Sequence, residues 1–158
     1  MSSVERVRRF LQEQGLSVQV KEMDQSTRTA PLAAAACGCP VGAIVKSLLF
    51  LADGRPVLVL VSGDKRADPR KIARLMQAGQ AAMANADAVR SITGYAIGGV
   101  PPVAHNTPLM VFLDGTLLRY DIVWAAAGAP NAVFPIAPGE LLRLTGAGAA
   151  DVTEEPGQ

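Results

Sequence analysis

The sequence predicts an α+β domain, of the mixed α/β kind, in which helices flank a mixed and largely antiparallel sheet. Three observations predict this class: short apolar runs with strand-like alternation, segments with helical spacing between them, and a hairpin turn at Asp53-Gly54. The runs do not follow a regular βαβ order, which favours a mixed sheet over a parallel one. The 158 residues suit one domain, 1–158, with residues 153–158 as a flexible tail.

Capping chemistry predicts the helices. Each begins at a residue that caps a first turn or fits within it: Ser2, Thr29, Asp68, Asn85 and Pro138. Three of the helices are predicted to end at a glycine, at Gly15, Gly38 and Gly146.

Strands are predicted wherever apolar runs alternate or are bounded by turn residues. They lie at residues 16–21, 44–51, 56–61, 81–84, 109–113, 122–126 and 132–136.

Composition excludes several classes of protein. Apolar residues make up 49% and aromatic residues 4%, so the core is expected to be aliphatic. A net charge of +1 argues against a disordered polyelectrolyte and a strongly basic nucleic-acid coat protein. The longest apolar stretch, residues 43–52, is short of the ~20 residues of a membrane span, and no apolar segment follows the N-terminus as in a secretory signal. We therefore expect a cytoplasmic protein that binds neither membrane nor DNA.

The cysteine and histidine content predicts no metal or other cofactor. Cys37 and Cys39 stand in C-x-C spacing, and the single histidine, His105, is far away in sequence. Zinc needs four ligands, or three and a water, so this set is poor. The two cysteines are interpreted as buried fillers at the end of an alanine-rich helix.

Lys46 is the most informative single residue. Within the strand at residues 44–51, it shares a face with Ile44, Leu48 and Phe50. A buried ammonium needs an anionic partner or a shifted pKa. It is either a lysine that extends to solvent at the sheet edge or a cation at the floor of a cleft that binds phosphate or carboxylate.

Two segments are rich in glycine, alanine and proline, so large side chains cover little of their backbone. Residues 93–102 place adjacent glycines before Pro101 and Pro102, and residues 125–131 follow the single Trp124. Exposed N–H groups of such loops can bind an oxyanion or a carbonyl, although glycine-proline loops are also common surface turns.

Together these segments resemble the YbaK family, which is related to the editing domain inserted in bacterial prolyl-tRNA synthetases. The resemblance covers about residues 26–152. It rests on S-T-R-T-A at 26–30, I-V-K-S-L at 44–48, T-G-Y-A-I-G-G-V-P-P at 93–102, W-A-A-A-G-A-P at 124–130 and L-L-R-L-T-G-A at 141–147.

The resemblance implies a free-standing aminoacyl-tRNA deacylase that hydrolyses wrong amino acids from tRNA, often tRNA(Pro). It also implies a barrel-like core with a pocket for the aminoacylated terminal adenosine. The family lysine falls on Lys46, which would hold the terminal phosphate or ribose, and the family G-x-x-x-P loop falls on residues 98–102. The catalytic residues would then be Lys46, Gly98, Gly99 and Val100.

The residues favour a water mechanism. No G-x-S-x-G elbow is present, so a positioned water would attack the ester while backbone N–H groups near Gly99 stabilise the oxyanion. Substrate contacts are expected from Thr29, Pro101, Pro102, His105, Ala127, Gly128 and Asn131. Asn131 could instead cap a turn, and His105 could be a loop histidine that bonds to backbone.

Contact with tRNA needs cations, and one segment concentrates them. The expected tRNA-binding residues are Lys65, Arg66, Arg70 and Arg74, which could equally form a solvated face. The predicted partner is the acceptor end of mischarged aminoacyl-tRNA. An aminoacyl-tRNA synthetase is a candidate second partner. Two alternatives stay open: a non-catalytic module that binds tRNA ends or a synthetase, and a small-ester hydrolase unrelated to tRNA.

Overall fold

An eight-stranded mixed sheet organises the computed structural model, which describes residues 1–156. The strands are β1 (Lys21–Glu22), β2 (Ile44–Ala52), β3 (Arg55–Ser62), β4 (Ala81–Met83), β5 (Met110–Asp114), β6 (Val123–Ala126), β7 (Ala132–Ile136) and β8 (Gly148–Ala150). The helices are α1 (Ser3–Glu13), α2 (Ala30–Cys37), α3 (Pro69–Leu75), α4 (Ala86–Thr93) and α5 (Pro138–Thr145), and 3₁₀ turns lie at Val41–Ala43 and Gly115–Arg119.

Strand pairing confirms the mixed class. The order is β1-β7-β6-β2-β3-β5-β8, and β4 pairs with β2 outside this path. Pairing is antiparallel for β1 with β7, β6 with β7, and β2 with both β3 and β4. It is parallel for β2 with β6 and for β5 with both β3 and β8. Within residues 1–156, β1 and β8 do not pair with each other, so strand pairing does not close a barrel.

The two edges of β2 differ. Along one edge, β3 pairs with β2 continuously from Val45 to Ala52. Along the other, β6 pairs only with Ile44 and Val45, and β4 pairs only from Phe50 onwards. A gap therefore separates β6 from β4 along the middle of β2.

The core is aliphatic, as the composition predicts, and occupies both faces of the sheet. On one face, Val7 and Leu11 of α1 pack with Leu58, Leu60 and other strand residues. On the opposite face, Ile72 of α3 belongs to a smaller cluster. The sheet is thus covered by helices on both sides, which fixes β2 in the interior.

Most helix boundaries follow the predicted caps. The Ser2 Oγ accepts the Glu5 N–H at 3.1 Å, and the Asn85 side chain accepts the Ala88 N–H at 2.9 Å. Thr29 and Asp68 cap α2 and α3 in the same way. These bonds span two or three residues, so the sequence alone contains both partners.

Two strands differ from prediction. The strand predicted at residues 16–21 is reduced to Lys21–Glu22, because β7 pairs with only these two residues. The strand Gly148–Ala150 was not predicted, and its pairing with β5 is parallel and remote in sequence.

The predicted tail needs a correction over its first residues. Thr153 is buried and pairs with Ala67, and the Glu154 N–H donates to the Arg66 carbonyl at 2.8 Å. Lys71 of α3 also donates to the Thr153 carbonyl at 2.7 Å. Residues 153–154 are thereby held against α3 and the segment before it, while residues 157–158 of the predicted tail lie outside the described residues.

Candidate functional site

A cavity of about 300 Å³ lies at the gap between β6 and β4. Its wall is the middle of β2, with Met83 and Ala84 on one side and Trp124 to Ala126 on the other. The start of α2 and the loop before α2 contribute further residues, as does the loop at residues 97–100. The volume is at the lower end of the range for small-molecule sites.

Lys46 lines this cavity. Its side chain is half-buried, and its ammonium donates a hydrogen bond to the Lys65 carbonyl. Burial lowers the pKa of Lys46, whereas the carboxylates of Asp114 and Asp64 favour its charged form. An ammonium has three donors, so those not used at Lys65 remain available to a ligand.

A polar network fixes the turn that holds Lys46. The Asp64 carboxylate accepts hydrogen bonds from Ser62 Oγ at 2.9 Å and from Arg119 Nη2 at 3.1 Å. The buried Asp114 accepts the Ser62 N–H at 3.0 Å. The Lys65 carbonyl follows directly in the chain, so this network restrains the position of the Lys46 ammonium.

Gly98 and Val100 of the glycine-proline loop line the cavity. Gly98 has φ +95°, a conformation that favours glycine. Among residues 1–156, neither the Gly98 N–H nor the Val100 N–H donates a hydrogen bond within the protein. Both are therefore candidate donors to a bound oxygen.

Gly99 does not have the predicted role. Its N–H donates to the Ala96 carbonyl at 3.0 Å, so this donor is already used. Gly99 is buried, and a Cβ there would lie 2.9 Å from the Ala129 Cα. Because Gly99 is small, the two loops can approach each other closely. From sequence alone, a glycine that permits such packing cannot be distinguished from one that binds substrate.

Arg28 is a cavity residue that the sequence analysis missed. It is exposed at the cavity, and a Cβ on Gly98 would come within 2.7 Å of its Cγ. Within the described chain its guanidinium forms no ion pair or hydrogen bond. The signal was present, because Arg28 lies in the S-T-R-T-A motif. The predicted Thr29 also lines the cavity, although its Oγ1 accepts the Leu32 N–H at 3.4 Å as the cap of α2.

Pro101, Pro102 and His105 do not line the cavity. His105 Nε2 is 2.7 Å from the Pro101 carbonyl oxygen. His105 is therefore a loop histidine that bonds to backbone, which was the alternative to substrate contact. Burial lowers the pKa of His105. Together with Pro102 and Arg6, it lines a separate open groove of about 590 Å³.

The substrate contacts predicted after β6 were Ala127, Gly128 and Asn131. These residues do not line the cavity and make contacts within the protein. Ala127 is fully buried, and the Gly128 N–H donates to the Gly99 carbonyl at 3.0 Å. Asn131 Nδ2 donates to the Met23 carbonyl at 3.2 Å, a contact with a distant segment and not the turn cap given as its alternative. The small wall expected at residues 125–129 is formed by Ala125 and Ala126 only.

The predicted basic surface begins beside the cavity. Arg66, Arg70 and Arg74 are exposed, and Lys65 is linked to the cavity through its carbonyl. Arg66 lies 3.9 Å from a carboxylate oxygen of Glu154. Within the described residues, Arg70 and Arg74 form no ion pair and are free to contact an anionic surface.

The two cysteines are partly exposed and are not the buried fillers expected. Burial of its thiol, together with the neighbouring Cys39, raises the pKa of Cys37 to about 11. In residues 1–156, no group of three or more His, Cys, Asp or Glu side chains could hold a metal ion. No helix in the same part of the chain is long and apolar enough to cross a membrane.

Comparison with known proteins tests the resemblance. A solved structure of a protein proposed as a trans-editing enzyme for prolyl-tRNA synthetase has a TM-score of 0.92 and 49% identity, and the match covers 98% of this chain and 99% of that one. Uncharacterized protein YwhH of Bacillus subtilis is 35% identical over 125 residues, 77% of this chain and 78% of YwhH. A proline–tRNA ligase of Desulfovibrio desulfuricans is 39% identical over 80 residues, 51% of this chain and 14% of the ligase.

The match to that ligase spans only a small part of its length, as expected for an inserted domain. The family model of the aminoacyl-tRNA editing domain matches residues 24–144, which include the cavity and both loops discussed above. The resemblance that the motifs predict is confirmed: this chain belongs to the aminoacyl-tRNA editing domain family.

Proposed function

We propose that this protein is a deacylase that acts in trans on mischarged tRNA and hydrolyses the ester between a wrong amino acid and the terminal ribose. The observation that carries the proposal is the cavity beside β2. It combines Lys46 and Arg28 with backbone donors of the 97–100 loop, and no carboxylate lines it within the described chain. A charged tRNA end presents a phosphate, a ribose and an ester carbonyl, which are groups that such a lining can bind.

The two cations anchor the anionic end of the substrate. Lys46 has donors left after its bond to the Lys65 carbonyl, and Arg28 has no partner among the described residues. A guanidinium suits phosphate because it offers several donors in one plane. We therefore assign the terminal phosphate or ribose to this pair.

The N–H groups of Gly98 and Val100 stabilise the oxyanion that forms when water attacks the ester carbonyl. The C–O bond to the ribose then breaks, and the products are a free amino acid and a tRNA with a free hydroxyl. No histidine or carboxylate lines the cavity within residues 1–156, so the neighbouring ribose hydroxyl assists the proton transfer from water to the leaving oxygen. An oxyanion donor in other enzymes is worth roughly 3–4 kcal/mol, enough for an activated ester.

Selectivity comes from the size of the cavity. Its volume of about 300 Å³ and the alanines at positions 30, 33, 125 and 126 suit a small amino acid such as alanine, serine, cysteine or threonine. One methylene changes binding by only ~1–3 kcal/mol, so a synthetase that misactivates small residues benefits from a second hydrolytic step.

The tRNA body contacts the basic segment. Lys65, Arg66, Arg70 and Arg74 would face phosphates of the acceptor stem, with an affinity that falls as salt rises. The names of two relatives include prolyl-tRNA synthetase or proline–tRNA ligase, which supports tRNA(Pro) as the first substrate to test.

A second candidate function is a non-catalytic module that binds tRNA ends. The absence of a histidine or carboxylate from the lining, among the residues described, favours it because the protein then supplies no general base. Single-turnover hydrolysis separates the two functions, since a binding module would retain the ester intact.

The test is a panel of mischarged tRNA(Pro) species, with Lys46→Met as the diagnostic variant. We expect hydrolysis of at least one small aminoacyl ester, reduced about 10- to 100-fold in the variant, because a hydrogen bond to a charged group is worth roughly 1.5–3 kcal/mol. Burial lowers the pKa of Lys46, so enzyme-dependent hydrolysis should decline at a pH below the ordinary value of 10.5. Spontaneous hydrolysis is subtracted at each pH.

Arg28→Ala provides a second measurement, with Arg90→Ala as its matched control. Arg90 is also exposed but lies in α4 and does not line the cavity. Arg28→Ala should raise KM, whereas Arg90→Ala should leave KM and kcat at parental values. Turnover of no tRNA would favour the binding module, and turnover of simple esters alone would favour an unrelated esterase.

A further inference from the structure

Ser47 holds an unusual position at the floor of the cavity. Its side chain lies on the same face of β2 as Val45 and Leu49, and its Oγ is buried without a hydrogen-bond partner among residues 1–156. Buried polar atoms in native proteins are nearly always paired, so an unpaired hydroxyl in a cavity wall calls for an explanation. No residue role described above uses Ser47.

The backbone of Ser47 is also unpaired on the cavity side. The Gly63 N–H donates to the Ile44 carbonyl, so the polar groups of Ile44 point towards β3. The Ala84 N–H donates to the Leu49 carbonyl, so that carbonyl points to the opposite edge. Residues two apart on a strand direct their N–H and C=O groups to the same edge. The N–H and C=O of Ser47 therefore point into the gap.

The gap leaves space for one short extended ligand. Pairing of β2 with β6 stops at Val45, and pairing with β4 resumes at Phe50. At a rise of about 3.3 Å per residue, the open stretch is shorter than an average strand but longer than one residue. It is thus an internal sheet edge of the kind that binds extended ligands by backbone hydrogen bonds.

We infer that the aminoacyl group of the substrate binds as a single antiparallel residue opposite Ser47. In a hydrogen-bonded antiparallel pair, two residues exchange both N–H···O bonds across one position. An aminoacyl ester carries the complementary pair, an α-amino donor and a carbonyl acceptor on either side of one Cα. The α-amino group would donate to the Ser47 carbonyl, and the ester carbonyl would accept the Ser47 N–H. This inference rests on the proposed function and names how its substrate is held.

The pairing also places the amino-acid side chain. Residues directly opposite in an antiparallel pair direct their side chains to the same face of the sheet. The substrate side chain would lie beside the Ser47 Oγ, on the face where Val89, Val100 and Ala125 line the cavity. Ser47 is thereby a specificity-determining residue, since a larger side chain at position 47 takes the space of the ligand.

The first test measures backbone pairing directly, with the non-hydrolysable 3′-L-alanylamino-3′-deoxyadenosine as the probe. In amide NMR spectra, the Ser47 N–H should shift and exchange more slowly with solvent when the probe binds. The Val59 amide is the internal control, because Val59 lies in β3, which pairs with a strand on each side. Its chemical shift should not change when the probe binds. A probe whose alanyl group is replaced by propionyl lacks the α-amino donor and should bind about 10-fold more weakly or worse.

The second test measures specificity with Ser47→Val, which keeps the backbone pair but enlarges the side chain at position 47. Ser47→Val should lower alanyl-tRNA deacylation at least 10-fold while sparing glycyl-tRNA, which has no side chain to displace. Leu51→Val is the matched control, because Leu51 is on the same strand and face but does not line the cavity.

The outcomes separate this inference from the proposed function. If mischarged tRNA is hydrolysed but the probe leaves the Ser47 amide unchanged, the antiparallel pairing is wrong and the deacylase function stands. If Ser47→Val slows alanyl and glycyl substrates equally, the placement of the side chain is wrong. If no tRNA is hydrolysed and the probe shifts no amide, both are wrong.

Discussion

Two short glycine-containing loops have different roles in this molecule. Residues 97–100 (Ile-Gly-Gly-Val) and residues 127–131 (Ala-Gly-Ala-Pro-Asn) both lack charged side chains. The first segment lines the cavity through Gly98 and Val100, with backbone donors that have no partner in the described protein. In the second, Gly128 donates its N–H to the first segment and does not line the cavity.

The contrast extends to the adjacent glycines of the first segment. A Cβ at Gly98 would meet the flexible side chain of Arg28, whereas a Cβ at Gly99 would meet the backbone of Ala129. Small residues therefore serve two purposes here, exposing backbone to a ligand and letting two loops approach. Only the hydrogen-bond partner of each N–H distinguishes the purposes, and substitutions at the two kinds of glycine should separate activity from stability.

The largest expected effect is the loss of stability in Gly128→Ala. Gly128 has φ +99°, and a Cβ there would lie 2.7 Å from the Ser3 carbonyl oxygen. Left-handed backbone costs a non-glycine residue roughly 1–2 kcal/mol, and overpacking against backbone costs roughly 1–3 kcal/mol more. We expect the free energy of unfolding to fall by about 2–5 kcal/mol, measured by urea denaturation, with kcat per folded molecule unchanged.

Gly139→Ala is the matched control for this change. Gly139 lies in α5, has no atom within 4 Å of its Cβ position and does not have a positive φ. Alanine should stabilise the helix there by roughly 0.5–1 kcal/mol. A Gly128→Ala protein that is as stable as the parent but inactive would reverse the assignment of the two segments.

The next largest effect is the loss of activity in Gly98→Ala. A Cβ at Gly98 would displace Arg28 and strain a φ of +95°, which disturbs the donors of the loop. Loss of one oxyanion donor lowers kcat roughly 100-fold in other enzymes, and we expect a loss of about that size in single-turnover deacylation. Gly54→Ala is the control, since Gly54 has φ +81° in the β2–β3 turn and an open Cβ position.

A double-mutant cycle with Arg28→Ala shows how Gly98 acts. If the loss in Gly98→Ala disappears when Arg28 is already alanine, the glycine serves only to seat the arginine. If both losses add, the backbone donors contribute separately. A parental kcat in Gly98→Ala would show that the loop is an ordinary surface turn.

The sequence predicts features whose two partners are close in the chain. The caps at Ser2 and Asn85 and the Asp53-Gly54 turn require only local chemistry. The strand predicted at residues 16–21 shows the limit of that reasoning. Leu16, Val18 and Val20 alternate because they pack against the core, although β7 pairs with only two residues beyond them.

The candidate site divides in the same way. Lys46 and Gly98 could be predicted, because a lysine in an apolar strand and a glycine-proline loop are visible locally. Arg28 lies in the S-T-R-T-A motif and was overlooked, whereas the unpaired edge at Ser47 could not be predicted, because it depends on where β4 and β6 end along β2. The N–H of Gly99 was misassigned because its acceptor, the Ala96 carbonyl, is known only once the loop has a conformation.

The smallest expected effect is that of a double Cys37→Ala, Cys39→Ala variant, which tests whether the chemistry belongs to the loop donors at all. Cys37 is the last residue of α2 and Cys39 follows it, whereas the start of α2 faces the cavity, and neither thiol lines the cavity. The pKa of Cys37 is raised to about 11, so its thiol is protonated at neutral pH and is a poor nucleophile. We expect deacylation within about twofold of the parental rate and a stability change below about 1 kcal/mol. Alkylation of the parent by iodoacetamide should be slow at pH 7.5 and faster as the pH approaches 11. Near-complete inactivation of the variant, or a trapped thioester in the parent, would move the chemistry from the backbone of residues 97–100 to a cysteine.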